Sequence, residues 1–119
     1  MSESILKVKS FQFAVLIVRL YKDLSVNQKE FVLSKQLLKS GTAIGAMIRE
    51  AKNSESKADF QHKLAIAQKE CDESLYWLEL LYKTNYLTES EFNNLTLEAT
   101  ELLKMIRSSI ITSKSGTKG

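Results

Sequence analysis

The amino-acid sequence predicts an all-α protein, a single-domain antiparallel four-helix bundle of up-down-up-down order. Three observations lead there. The 119 residues contain no proline and only four glycines, two of them the terminal Gly116 and Gly119, whereas a β-rich chain spends more of both on turns. Apolar residues recur at three- and four-residue intervals in four segments. The segments are joined by short connections, which favour antiparallel neighbours.

The first helix is expected from about Ser10 to Leu24, with Phe13, Ile17, Leu20, Tyr21 and Leu24 on one face. Phe11, Val15 and Val18 fall on nearly the opposite face, and a helix apolar on two sides calls for two partners. Ser25 to Gln28 reads as a connection. Asn27 with Glu30 then forms a capping box for a second helix from about Lys29 to Asn53. Leu33, Leu37, Ile44, Met47, Ile48 and Ala51 share its core arc. Gly41 and Gly45 sit on a shoulder of that arc. Each costs a helix roughly 1 kcal/mol, so the pair signals close approach by another backbone, with a break at Ser40–Gly41 as the competing reading.

Ser56 and Asp59 cap a third helix reaching about Lys83. Its core line is Phe60, Leu64, Ala67, Cys71, Leu75, Leu78 and Tyr82, and Ile66, Trp77 and Leu80 form a thinner second line. Thr88 and Glu91 form a capping box for the fourth helix, whose core face is Phe92, Leu95, Ala99, Leu102, Leu103, Ile106 and Ile110. Residues 113–119 are small, polar and basic and read as a disordered tail, leaving 1–112 as the bundle.

The longest strongly apolar run, Phe13 to Val18, is far below the ~20 residues of a membrane span. The first residues lack a secretory pattern, and a cytoplasmic protein is expected. Cys71 is the lone cysteine, so neither an intrachain disulfide nor a cysteine zinc site can form. It falls on the core line and reads as a small buried hydrophobe. Asp59 and His62 stand three apart as a metal pair could, but diiron bundles need two such units and further carboxylates, and the chain has one histidine. Gly41-Thr-Ala-Ile-Gly45 lacks the Gly-Lys-Ser/Thr ending of a phosphate loop and follows no strand. Ser40 and Thr42 have no nearby histidine to activate them. Glu70, Asp72, Glu73 and Glu79 read as solvated or interface faces. No enzymatic activity and no cofactor or metal is expected.

Charge is distributed unevenly. Residues 1–53 carry nine Lys/Arg and four Asp/Glu, whereas residues 54–112 carry six and ten. Lys35, Lys39 and Arg49 share the arc of the second helix opposite its core, with Lys52 at the edge. Arg19, Lys22 and Lys29 add to them. These seven are the candidate nucleic-acid-binding residues; contacts of this type are with phosphates, salt-dependent and largely sequence-independent. Phe11, Val15, Val18, Gly41, Gly45, Ile66, Trp77 and Leu80 are the candidate interface of a homo-oligomer, which would repeat the basic patch. The rival expectation, from the second apolar faces of the first and third helices, is a scaffold that binds another protein, such as a polymerase, without touching nucleic acid.

Two long blocks add a family resemblance. Phe31-Val-Leu-Ser-Lys-Gln-Leu-Leu-Lys-Ser-Gly-Thr-Ala-Ile-Gly-Ala-Met-Ile-Arg-Glu-Ala51 is one. Glu55-Ser-Lys-Ala-Asp-Phe-Gln-His-Lys-Leu-Ala-Ile-Ala-Gln-Lys-Glu70, followed by Glu73-Ser-Leu-Tyr-Trp-Leu-Glu-Leu-Leu81, is the other. Over roughly residues 10–112 the chain resembles the bacterial four-helix-bundle family of 23S rRNA intervening-sequence proteins. The resemblance implies a homopentameric ring. It also implies kinship with the accessory variability proteins of diversity-generating retroelements, a more strongly basic branch that binds nucleic acid and a reverse transcriptase. Gly41, Gly45, Glu50, Glu55, Ala58, Asp59, Phe60, Glu70, Trp77 and Leu78 fit the family pattern as packing, capping and assembly positions. The family label "ribosomal protein" reflects gene location, and no catalytic set is implied.

Overall fold

The computed structural model describes residues 2–115, and side chains from Ile5 onward. These residues form four α-helices and no strand: α1 (Ser2–Lys22), α2 (Leu33–Lys52), α3 (Lys57–Lys83) and α4 (Glu89–Lys114). The 27-residue α3 alone accounts for roughly 40 Å at 1.5 Å per residue, and the molecule measures 48 × 22 × 19 Å.

α1 begins a full two turns before the predicted start. Leu6, Ser10, Phe13, Ile17, Leu20 and Leu24 are all buried, an unbroken series at four- and three-residue spacing. Ser10 is the polar member that hides the pattern. Its hydroxyl donates to the Lys7 carbonyl at 3.1 Å, which satisfies it inside the core. The helix then passes into one π-helical turn, Asp23–Asn27, where the Ser25 hydroxyl donates to the Tyr21 carbonyl at 2.7 Å.

The predicted Asn27–Glu30 capping box does not form. The Asn27 amide turns back to Asp23 at 2.6 Å. The Glu30 carboxylate instead folds forward and accepts the N–H groups of Val32, Leu33 and Ser34 at 3.0, 2.9 and 2.6 Å. These are donors that the first turn of a helix leaves without partners. α2 therefore starts at Leu33 rather than Lys29, and Lys29 reverses the chain with φ 58°. No break occurs at Ser40–Gly41; α2 is continuous.

The predicted caps of the other two helices are present. The Ser56 hydroxyl accepts the Asp59 N–H at 3.0 Å. Thr88 and Glu91 bond reciprocally at 2.9 and 3.1 Å. Between them, α3 closes on Asn85 at φ 70°, with Tyr86 N–H donating to the Leu81 carbonyl and Asn85 N–H to that of Tyr82. This pairing is the Schellman arrangement, in which asparagine tolerates the left-handed position. α4 runs past the predicted boundary at residue 112. Ser113 is buried and accepts from the Gln61 amide at 3.0 Å. The rest of the predicted tail, 116–119, lies outside the described residues.

All four helices contribute to one apolar core, in which Phe13, Ile17, Leu24, Leu37, Ile44, Leu64, Leu78, Leu81, Leu102 and Ile106 are fully buried. α2 packs most extensively on α3, and of the adjacent helix pairs α1 and α4 touch least. Specific pairs set the register. Ser40 meets Ser74, hydroxyl to hydroxyl, at 3.0 Å, and Glu50 meets Lys63 at 3.0 Å. Tyr82 stacks on Phe92 with ring centroids 4.3 Å apart.

Candidate nucleic-acid interface

The outer line of α2 is Lys35, Lys39, Thr42, Ala46 and Arg49, at alternating four- and three-residue steps. Its opposite face supplies Leu37, Ile44, Ile48 and Ala51 to the core, so core burial turns the three cations outward. All seven predicted basic residues, Arg19, Lys22, Lys29, Lys35, Lys39, Arg49 and Lys52, are exposed. Among the described residues, ion pairs join Lys9 to Glu101 and Lys63 to Glu50, and neither pair involves the seven.

The seven fall into two groups. Ser10 lies against Gly45 and Ile17 against Gly41, so α1 residues beyond Ile17 lie toward the start of α2. Arg19 and Lys22 thus lie at the same end of the bundle as Lys29, Lys35 and Lys39. Arg49 and Lys52 lie at the other end, Arg49 about 15 Å from Lys39 along the axis at ~1.5 Å per residue. The Arg49 guanidinium sits 5.4 Å from the centroid of the Phe11 ring, a cation–π contact between α1 and α2. Lys52 borders a crevice with Leu6, Ile48, Phe60, Leu64 and Ser109.

The predicted assembly residues separate as well. Phe11 is 55% exposed and Val18 36%, with Ile5 and Val8 also exposed and Val15 half-buried. Together they form one apolar line on the outside of α1 at helical spacing. Ile66, Trp77 and Leu80 are half-buried, and the Trp77 indole N–H donates to Glu73 at 3.2 Å. Gly41 and Gly45 belong elsewhere. Gly41 is buried, and a Cβ there would lie 2.9 Å from Ile17 Cγ1. At Gly45 it would lie 3.4 Å from the Ser10 hydroxyl. The close approach these glycines permit within the chain is between α1 and α2.

Cys71 is fully buried, and its thiol donates to the Ala99 carbonyl at 3.1 Å. Burial foremost, with Asp72 adding, pushes the thiol pKa up to about 12, which keeps it protonated and unreactive. His62 is exposed and Asp59 half-buried. No three His, Cys, Asp or Glu side chains among the described residues gather as a metal cage would need. No helix of the described chain is long and apolar enough to cross a membrane.

Sequence reasoning missed three features: the inward Glu30, the Ser40–Ser74 pair and the exposed Phe31. Phe31 lies well off the Leu33–Leu37 core arc, a signal available from helical geometry alone.

Comparison with known proteins agrees with this architecture. No curated protein matches the chain. The chain is similar to a crystal structure from Bacteroides thetaiotaomicron VPI-5482, described as a protein of unknown function from the S23 ribosomal protein family. The two are 52% identical, with a TM-score of 0.92 over 92% of this chain and 98% of the other. The family described as 23S rRNA-intervening sequence protein matches residues 3–108. With nearly the whole four-helix region matched, the chain belongs to the 23S rRNA-intervening sequence protein family.

Proposed function

We propose that this protein is a non-enzymatic, homo-oligomeric adaptor that binds nucleic acid through the outer faces of α1 and α2. One observation carries the reading: seven cations stand exposed on α1, α2 and the connection between them, and the outward faces of those helices are nearly free of carboxylates. Residues 4–22 contain no aspartate or glutamate, nor do residues 31–49. A polyanion approaching that side meets cations without competing negative charge. Neighbouring helices alternate in direction in this reading. Rising numbers on one helix meet falling numbers on the next, as with Ser40–Ser74 and Glu50–Lys63.

Self-association uses the Ile5, Val8, Phe11, Val15 and Val18 line of α1, and the proposed assembly is a pentameric ring, the state implied by the resemblance. The line is largely exposed, with Arg49 of the same chain over the Phe11 ring, and burying it against another copy would recover hydrophobic free energy. The same line favours the second reading, a cytoplasmic scaffold for another protein such as a reverse transcriptase.

Fluorescence anisotropy with labelled structured RNA and duplex DNA, over a range of salt, tests the first reading. Binding at low salt that weakens linearly in log–log form is expected; no binding at low salt removes it. Sedimentation should give an oligomer at micromolar concentration, and a monomer there removes the assembly. A specific protein captured by a chain that binds no nucleic acid moves the assignment to the second reading.

A further inference from the structure

We infer that the nucleic acid bound is single-stranded, with an unpaired base stacked on Phe31 at the α1–α2 corner; this rests on the nucleic-acid reading above. Phe31 precedes α2 by two residues, and its side chain is 54% exposed. A phenyl ring left in water costs hydrophobic free energy that burial would recover. It is flanked in sequence by two exposed cations, Lys29 before it and Lys35 in the first turn of α2.

The local charge is one-sided for a structural reason. Between Asp23 and Glu50 the chain has a single carboxylate, Glu30. That side chain is buried and accepts the N–H groups of Val32, Leu33 and Ser34. The corner therefore shows solvent a ring and several ammonium groups, while Glu30 faces inward and Asp23, half-buried just past α1, accepts from the Asn27 amide at 2.6 Å. It is also held in place. Glu30 N–H donates to the Leu24 carbonyl at 2.9 Å, and the Gln28 amide donates to the Tyr86 carbonyl of the α3–α4 turn at 3.1 Å.

A protruding ring among phosphate-binding cations is the arrangement used to bind single strands. Every base has a π-face, and base–aromatic stacking tolerates any sequence. In a duplex the base faces are already stacked on one another, so the ring has nothing to gain and only the cations act. An apolar protein partner would use the ring and neighbouring Val26 and Val32, but it has no need of the exposed cations, Lys29 and Lys35, on either side of the ring.

The test uses the full chain in fluorescence anisotropy at low salt. The probes are an unstructured single-stranded RNA of ~15 nucleotides, within the site sizes of single-strand binders, and a duplex of the same length. Phe31→Ala and Phe31→Leu should each weaken single-strand binding ~5- to ~100-fold. Phe31→Trp should retain it, and duplex binding should be unchanged in all three. Matching thermal melts exclude a folding effect, which the exposure of Phe31 already argues against. Wild-type-like single-strand binding by Phe31→Ala or Phe31→Leu overturns the stacking assignment. So does an equal loss on the duplex. In either case Lys35→Glu/Lys39→Glu still reports whether nucleic acid binds by charge. If the wild-type protein binds neither probe, the nucleic-acid reading itself fails and the assignment falls with it.

Discussion

α1 and α2 on one side, and α3 and α4 on the other, share a core yet differ in what they show to solvent. α3 and α4 carry nine carboxylates: Asp59, Glu70, Asp72, Glu73, Glu79, Glu89, Glu91, Glu98 and Glu101. α1 and α2 carry Glu3 in the first turn of α1 and Glu50 in the last turn of α2, and Glu50 is paired with Lys63 of α3. The junctions differ too. α1 meets α2 across glycines, with Ile17 close against Gly41. α3 meets α4 through larger groups, such as the stacked Tyr82–Phe92 rings. Both halves bury aliphatic residues equally well, so the charge difference is not a requirement of folding. It gives the molecule a more basic side and a more acidic side, and the proposed polyanion would approach the first.

The most severe test of the comparison is the α1–α2 junction. Gly41→Leu should destabilise the protein by on the order of 3 kcal/mol in urea unfolding, because Ile17 is β-branched and cannot swing aside. Adding Ile17→Ala should recover part of the loss. An unchanged midpoint in Gly41→Leu would show that the two helices are not in close approach.

Charge reversal probes the surface difference. Lys35→Glu/Lys39→Glu should weaken RNA binding about tenfold or more, ~1.4 kcal/mol, and reduce the salt slope by ~1.4–1.8. Lys69→Glu/Lys104→Glu makes the same change in net charge on α3 and α4 and should do little. Equal losses from the two variants would mean that net charge, rather than one face, governs binding.

Glu30→Gln should cost ~1 kcal/mol at neutral pH. Burial pushes the Glu30 carboxyl pKa up, but the backbone N–H groups of Leu33, Ser34 and Val32 together hold it below its ordinary 4.5. A carboxyl depressed in the folded state contributes stability above its unfolded pKa and loses it as pH falls through the folded one. The gap between wild type and Glu30→Gln should therefore narrow in urea melts taken below pH 4.5. A gap that persists at the acid end would mean that the carboxylate charge does not hold this helix start.

The mildest variant is Gly45→Ala. Its Cβ would meet the Ser10 hydroxyl at 3.4 Å, ordinary van der Waals contact, so the helix-propensity gain of up to ~1 kcal/mol should appear as a raised Tm. A lowered Tm would place Gly45 with Gly41 as a position that must stay bare.

What could be read from the sequence follows from how local each feature is. The Thr88–Glu91 box and the Ser56 cap involve residues three apart, and both form as expected. The outward direction of Lys35, Lys39 and Arg49 follows from helical period once the core arc of α2 is known. The start of α1 was hidden because Ser10 occupies a core position that the apolar pattern leaves open. Glu30 was legible as a capping residue but paired with the wrong partner, since its side chain can reach either way along the chain. Phe31 stands off the core arc of α2, a position from which helical geometry predicts exposure but not a use for the ring.

The sequence by itself determined the all-α class, the caps of α3 and α4, the core faces and the division of charge, because each depends on residues within a turn or two of one another. Only the tertiary structure decided that Gly41 and Gly45 serve α1 of the same chain, that Glu30 faces inward, and that the seven cations split five and two. Those outcomes depend on the register between helices, and register is set by side chains distant in sequence meeting across the core.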